Sequence, residues 1–227
     1  MSKTVTLQPV EAVAIDTYLQ DGDTSANTDS LSLRVGFNSS AEESRFLIEW
    51  DLLKAFPESV SAHSVESVTL TLNHRSDFNF TSSHTKTLEL SVVDGSFGED
   101  ATWINRTTGT AWSSAGGDLL TGPGVKSITY TGDSNLVITS SSDVSGSLLR
   151  HVRDALQTKG KKYRMAFVMS SGGPNRYVNF WSSNATDSAD APSLQITYRT
   201  ARGMGITATT IWGKSRSRRA KRAGRKH

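Results

Sequence analysis

Two stretches of this sequence hold side chains whose types and spacing could do chemistry. DGDTSANTDS sets Asp21, Asp23, Asn27 and Asp29 within nine residues. Hard oxygen donors at that density can hold a structural calcium ion, although the spacing is not that of an EF-hand loop. A solvated turn is the competing reading. RSDFNF and NRYVNFWSSN bring flat rings next to amides and charges, which is how proteins cover the apolar face of a pyranose while bonding its hydroxyls. Arg75, Asp77, Phe78, Tyr177, Asn179 and Trp181 therefore form the candidate glycan-binding set, with Phe80, Asn175 and Arg176 beside them. On a strand, Tyr177, Asn179 and Trp181 share one face, and Val178 and Phe180 share the other. The apolar pair belongs in the core, which turns the Tyr/Asn/Trp face outward; packing of Trp181 against a helix is the alternative.

Other chemistry finds little support. Histidines stand at 63, 74, 84, 151 and 227, none paired with another at metal-ligating spacing, and cysteine is absent. That excludes a thiolate metal site, a disulfide framework and a cysteine nucleophile. There is no nucleophile elbow and no phosphate-binding glycine loop. Paired carboxylates need a set separation across a cleft, and Asp77, Glu89, Glu99 and Asp100 are unranked candidates for it. The expectation is a protein that is not an enzyme and needs no cofactor beyond that calcium.

The C-terminus raises a separate question. Lys214, Arg216, Arg218, Arg219, Lys221, Arg222, Arg225 and Lys226 crowd the last fourteen residues without one acid. Of 25 basic residues, 17 then remain against 22 acids, so the body has a formal charge of −5 while the whole chain has +3. A run of like charges without apolar residues builds no core. These eight residues are read as a partner-docking tail, arginine forks meeting carboxylates on an adjoining protein. A nonspecific nucleic-acid arm is the lesser reading, since no aromatic residue interleaves the cations.

The elements that must position these groups are strands. VTLTLNH, LELSVV and LQITYR alternate apolar and polar residues with a period of two. RFLIEWD sets Phe46, Ile48 and Trp50 against Leu47 and Glu49, and YRMAFVMSS, apolar on both faces, belongs at the centre of a sheet. One segment departs from this: in DVSGSLLRHVRDALQTKGKK, Val144, Leu148, Val152, Ala155 and Leu156 recur at helical spacing. Asp143 is the expected N-cap, Gly160 the stop, and His151 falls on the solvated side of a helix of about four turns. The fold class is all-β, an antiparallel jelly-roll-like β-sandwich with one covering α-helix and a C-terminal extension. The sandwich occupies 1–199, a glycine-hinged linker with a strand-like ITATTIW occupies 200–213, and the basic tail 214–227. The N-terminal segment lacks the apolar run of a signal peptide, and no window reaches the roughly 18 apolar residues of a membrane span. Synthesis in a cytoplasm and no membrane contact are expected.

AIDTYLQD, LRVGF, SRFLIEWDL, HSVESVTLTL, GSFGEDATWINRTTGTAW, DVSGSLL and APSLQITYR follow one another in the order found in the DNRLRE domain, and over about residues 5–199 the chain resembles that family. The resemblance implies a β-sandwich of the carbohydrate-binding or adhesion type without catalysis, with Trp50, Trp103 and Trp112 as core or loop anchors. It does not account for the tail or for the missing export signal. Together these suggest a virion structural protein, in particular a bacteriophage decoration, cement or fibre component. It would be homo-oligomeric, docked to other virion proteins through its extension, and free to touch host-surface polysaccharide. An exported adhesion module of a microbial cell surface is the alternative, and a polysaccharide-degrading enzyme the weaker one.

Overall fold

The computed structural model describes residues 1–8, 13–27, 30–56, 60–76, 85–131, 134–158, 160–170 and 176–200. Through them the chain forms β1 (Ser2–Leu7), β2 (Val13–Gln20), β3 (Ser32–Phe37), β4 (Glu43–Asp51), a single helical turn α1 (Leu52–Ala55), β5 (Val65–Leu72), β6 (Thr85–Val92), β7 (Asn105–Thr107), β8 (Thr110–Ala111), β9 (Lys126–Thr131), β10 (Leu136–Ser140), α2 (Leu148–Gln157), β11 (Lys162–Met169), β12 (Arg176–Trp181) and β13 (Ser193–Arg199).

The alternating sequences become two antiparallel sheets packed face to face. One has the order β1-β13-β5-β10; the other runs β12-β3-β4-β11-β6-β9, and β2 branches from this order by pairing with β4. In β5, Val68, Leu70 and Leu72 are buried while Thr69 and Thr71 face away, as the period of two requires, and a register shift at the start of the strand buries Val65 as well. Between the sheets, Phe46 stacks on Phe167 at 4.8 Å and meets Phe180 edge-on at 5.9 Å. The doubly apolar β11 lies centrally between β4 and β6, as expected. Its Tyr163, Met165, Phe167 and Met169 enter the main core, and Ala166 enters a second one.

That second core exists because residues 93–121, with the small β7-β8 ribbon, fold over the outer face of the larger sheet. Val93, Phe97, Ala101 and Trp112 cover Leu19, Leu47 and Ala166 there. The Trp112 indole N–H donates to the Thr102 carbonyl at 2.9 Å, and the Arg45 guanidinium lies 4.9 Å above Trp103. Trp50 is fully buried in the main core. All three tryptophans thus anchor core or loop.

The two sheets are also stitched along one side. Beyond Leu72 the chain crosses to the edge of β12, where the Trp181 N–H donates to the Asn73 carbonyl and the Arg75 N–H to the Asn179 carbonyl, each at 2.9 Å.

The helix differs from its expected form. α2 has ten residues, and its N-cap is Ser147, whose hydroxyl accepts from the Arg150 N–H at 3.1 Å. Gly146 just before it sits at φ +73°, outside helical space, so the apolar spacing upstream cannot be used. Val144 is consequently 59% exposed, and Asp143 pairs instead with Arg153 at 2.7 Å. Gly160, at φ +86°, does follow the helix, after a C-cap at Thr158. His151 is buried rather than solvated, because the turn at Gly122–Gly124 closes over that side of α2. Its Nε2 donates to the Gly124 carbonyl at 2.8 Å, and the Tyr163 hydroxyl lies 3.3 Å from Nδ1. Burial pulls its pKa below the ordinary imidazole value.

Candidate saccharide-binding face

β12 divides as its alternation dictates. Val178 and Phe180 are fully buried, while Tyr177 and Trp181 are only half-buried on the other side. The structure therefore rejects packing of Trp181 against the helix and keeps the Tyr/Asn/Trp face away from the main core. Asn179 is the exception on that face: it is buried, held beneath the longer side chains that flank it.

The face is completed by a strand that is not adjacent in sequence. β12 pairs with β3 so that Trp181 lies opposite Ser32, Asn179 opposite Arg34 and Tyr177 opposite Gly36. Arg34 Nε donates to Asn179 Oδ1 at 3.2 Å, and its guanidinium lies 4.5 Å from the Tyr177 ring centre and 5.6 Å from that of Tyr18 on β2. Arg75, delivered by the crossing segment, sits 4.7 Å over the Trp181 ring and bonds the Ser32 hydroxyl. The result is a run of alternating rings and guanidiniums. Each cation–π contact contributes roughly 0.5–1 kcal/mol at exposed sites and more when desolvated. It also fixes the tilt of a ring that would otherwise sample rotamers. Each guanidinium covers one face of its ring, so a sugar stacking on Tyr177 or Trp181 would have to use the opposite face, with arginine N–H groups beside it as hydroxyl partners.

Of the residues expected in this set, Arg75, Tyr177, Asn179 and Trp181 come together; Asp77 and Phe78 lie outside the described residues, as do Phe80 and Asn175. Arg34 was missed, although it alternates with the apolar Leu33 and Val35, because only strand pairing brings β3 to β12; Tyr18 packs against the main core and reaches the face only through Arg34.

A buried carboxylate braces one border of the face. Asp16 on β2 accepts from both the N–H and the hydroxyl of Ser183, each at 2.6 Å, tying the segment after β12 back onto β2. Burial raises its pKa above the ordinary carboxylate value; the Ser183 hydrogen bonds oppose this and the nearby negative charge of Glu99 adds to it. A raised pKa means that the folded state binds the proton more tightly than the unfolded chain, whose Asp titrates near 3.8. This stabilisation is full below the unfolded value and is lost as pH rises through the folded one. Urea midpoints at pH 7, 5.5 and 4 should therefore show wild type gaining on Asp16→Asn as the pH falls. A constant difference would remove this role from Asp16.

The remaining candidates are dispersed. Asp23 accepts from the Ser25 N–H at 2.8 Å, the Asn27 amide donates to the Tyr18 carbonyl at 3.0 Å, Asp21 is exposed, and Asp29 lies outside the described residues. Among the described residues, no three acids or histidines converge on a point that could hold a metal ion. Asp100 caps a turn, accepting from the N–H and hydroxyl of Thr108 at 2.6 Å, bonds that lower its pKa. Glu89 lines a cleft of about 620 Å³ beside Asp94 and Asp118, and Asp77 lies outside the described residues. A second cleft of about 620 Å³ opens between α2 and β11, over His151 and Tyr163. Neither includes the ring-bearing strand. Among the described residues, no helix is long and apolar enough to cross a membrane. The eight tail cations also lie outside the described residues. In comparisons with known proteins, no protein-family model matches the chain and no curated protein matches it.

Proposed function

We propose that this protein is a non-catalytic structural component of a larger particle, in the first place a virion. It attaches through residues 200–227 and presents the ring-and-guanidinium face of β3 and β12 to surface polysaccharide. The observation behind this reading is the placement of the two ends. β13 runs antiparallel to β5 and reaches Tyr198 opposite Val65, so Thr200, where the extension begins, lies at the start of β5. The ring-bearing face is bonded to Asn73 and Arg75, just past the end of β5. The eight residues of β5 separate the two by about 26 Å. Anchoring by one pole leaves the other clear. The charge contrast between body and tail, and the order of the seven sequence motifs, support the same reading.

The test uses the full chain. Reversing Arg216, Arg218, Arg219 and Arg222 to Glu should abolish co-sedimentation with the particle while leaving the thermal transition unchanged. Trp181→Ala should leave the particle contact and the fold intact while weakening polysaccharide retention at least about tenfold, the scale of one lost stacking platform. If Trp181→Ala unfolds the sandwich, or retention survives in a folded variant, the saccharide reading falls. If the charge-reversed tail still co-sediments, the anchor reading falls.

A further inference from the structure

The turn at 122–124 is lightly packed at its two glycines: an added Cβ at Gly122 or Gly124 would meet nothing within 4 Å. Its bond from the Val125 N–H to the Gly122 carbonyl, 3.0 Å, is internal to the turn. His151 ties it to α2, with Nε2 2.8 Å from the Gly124 carbonyl oxygen. A carbonyl only accepts, so Nε2 carries the proton of the neutral ring. Nδ1 is then an acceptor, and the Tyr163 hydroxyl, 3.3 Å away, donates to it. One imidazole thereby joins the turn, α2 and β11. The cleft of about 620 Å³ between α2 and β11 is lined by Gly124, His151 and Tyr163 together.

We propose that His151 is a latch worked by pH: neutral, it pins the 122–124 turn against α2, and protonated, it lets that turn lift from the cleft while both sheets stay folded. Protonation makes Nδ1 a second donor, aimed at a hydroxyl that already points its own proton there. That proton must turn away, and at 1% exposure Tyr163 has little water to receive it. A buried imidazolium also needs a paired charge. Among the described residues, the charged groups around it do not supply one. On α2, Asp154 is felt at the ring but bonds Arg150 at 3.1 Å. On β11, Lys162 and Arg164 are bonded to Glu49, and Asp94, just past β6, lines the cleft but is exposed. Of the other elements packed on α2, β5 carries Glu66, which pairs with Arg199, and β10 has no ionisable side chain. His63, on the turn before β5, is exposed.

Burial holds the His151 pKa below the ordinary value, opposed by the Gly124 bond and by Asp154. The folded state therefore binds the proton less tightly than the unfolded chain, whose His titrates near 6.5. Stabilisation by the neutral ring is full above that value and is lost as pH falls through the folded one. The turn yields before α2, because Leu148, Val152, Ala155 and Leu156 hold the helix in the main core. The latch also lies at the pole where the extension begins, since Arg153 on the same helix bonds the Val65 carbonyl and Val65 is opposite Tyr198.

Hydrogen exchange on the full chain tests this. Between pH 7.5 and pH 5, after correction for intrinsic rates, protection of the Val125 amide should fall at least about tenfold while the amides of β5 stay protected. His151→Gln keeps a side-chain N–H donor without a titrating proton, so it should keep Val125 protected at both pH values. An NMR titration of wild type decides independently of that variant: the His151 ring should titrate below 6.5, with the Val125 amide shifting at the same midpoint. Unchanged Val125 protection overturns the inference, as does an equal loss in β5, which would be global unfolding. An equal loss in folded His151→Gln, or a Val125 amide that does not follow the ring, also overturns it.

Discussion

Phe180→Ala should lower the unfolding free energy by about 3–5 kcal/mol, the range for emptying a fully buried aromatic site. Phe180 is inaccessible to solvent and meets Phe46 and Tyr130 edge-on, with ring centres 5.9 and 5.6 Å away. It also sits where the crossing segment joins the sheets, opposite His74. The resulting cavity therefore weakens both the core and the seam, and a rigid neighbourhood of rings cannot collapse to fill it. Val137→Ala is the matched control, because Val137 is 57% exposed and should change stability by no more than about 0.5 kcal/mol. Equilibrium denaturation of the two variants checks this. A loss below about 1 kcal/mol for Phe180→Ala would mean that this junction is not closely packed.

Gly36→Ala should be comparably damaging for a different reason. Gly36 lies opposite Tyr177 with φ +127°, and an added Cβ would stand 2.2 Å from the Arg176 carbonyl oxygen and 2.6 Å from the Tyr177 Cα. Those are backbone atoms, so no side chain can turn away. Conformational strain of about 1–3 kcal/mol adds to overpacking of similar size, giving an expected loss of about 2–6 kcal/mol. Gly109→Ala separates the two terms, since Gly109 has φ +78° but nothing within 4 Å of the added carbon. It should lose only about 1–2 kcal/mol, the cost of the backbone conformation alone. Because β12 must shift to admit the methyl group, the proposed function further requires that folded Gly36→Ala protein retain polysaccharide less well than wild type. Equal losses for the two glycine variants would show that the close approach of β3 and β12 is unimportant.

Much of this architecture is legible in local pattern. The division of β12 into Val178 and Phe180 inside and Tyr177 and Trp181 outside follows from alternation, because in a strand the side-chain period is fixed at two. The central place of β11 follows from apolar residues on both of its faces. Helical spacing is less restrictive. It admits Val144 and Asp143 into α2, and only the left-handed backbone at Gly146 shows why the helix starts later. His151 illustrates a further limit: a position on the polar side of a helix is solvated only if nothing packs there, and here a turn from residues 122–124 does.

The all-β class, the faces of most strands and the charge contrast between body and tail were already contained in the amino-acid sequence. These depend on residue type and near-neighbour spacing, which the backbone geometry of a strand converts directly into burial. That residues 93–121 cover the outer face of the larger sheet, that Arg34 joins Tyr177, Asn179, Trp181 and Arg75, and that β13 leads to Thr200 at the pole away from that face became visible only in the folded chain. Those facts depend on which strands pair across long stretches of chain. Pairing is set by the free energy of the whole core, and no short window of sequence contains it.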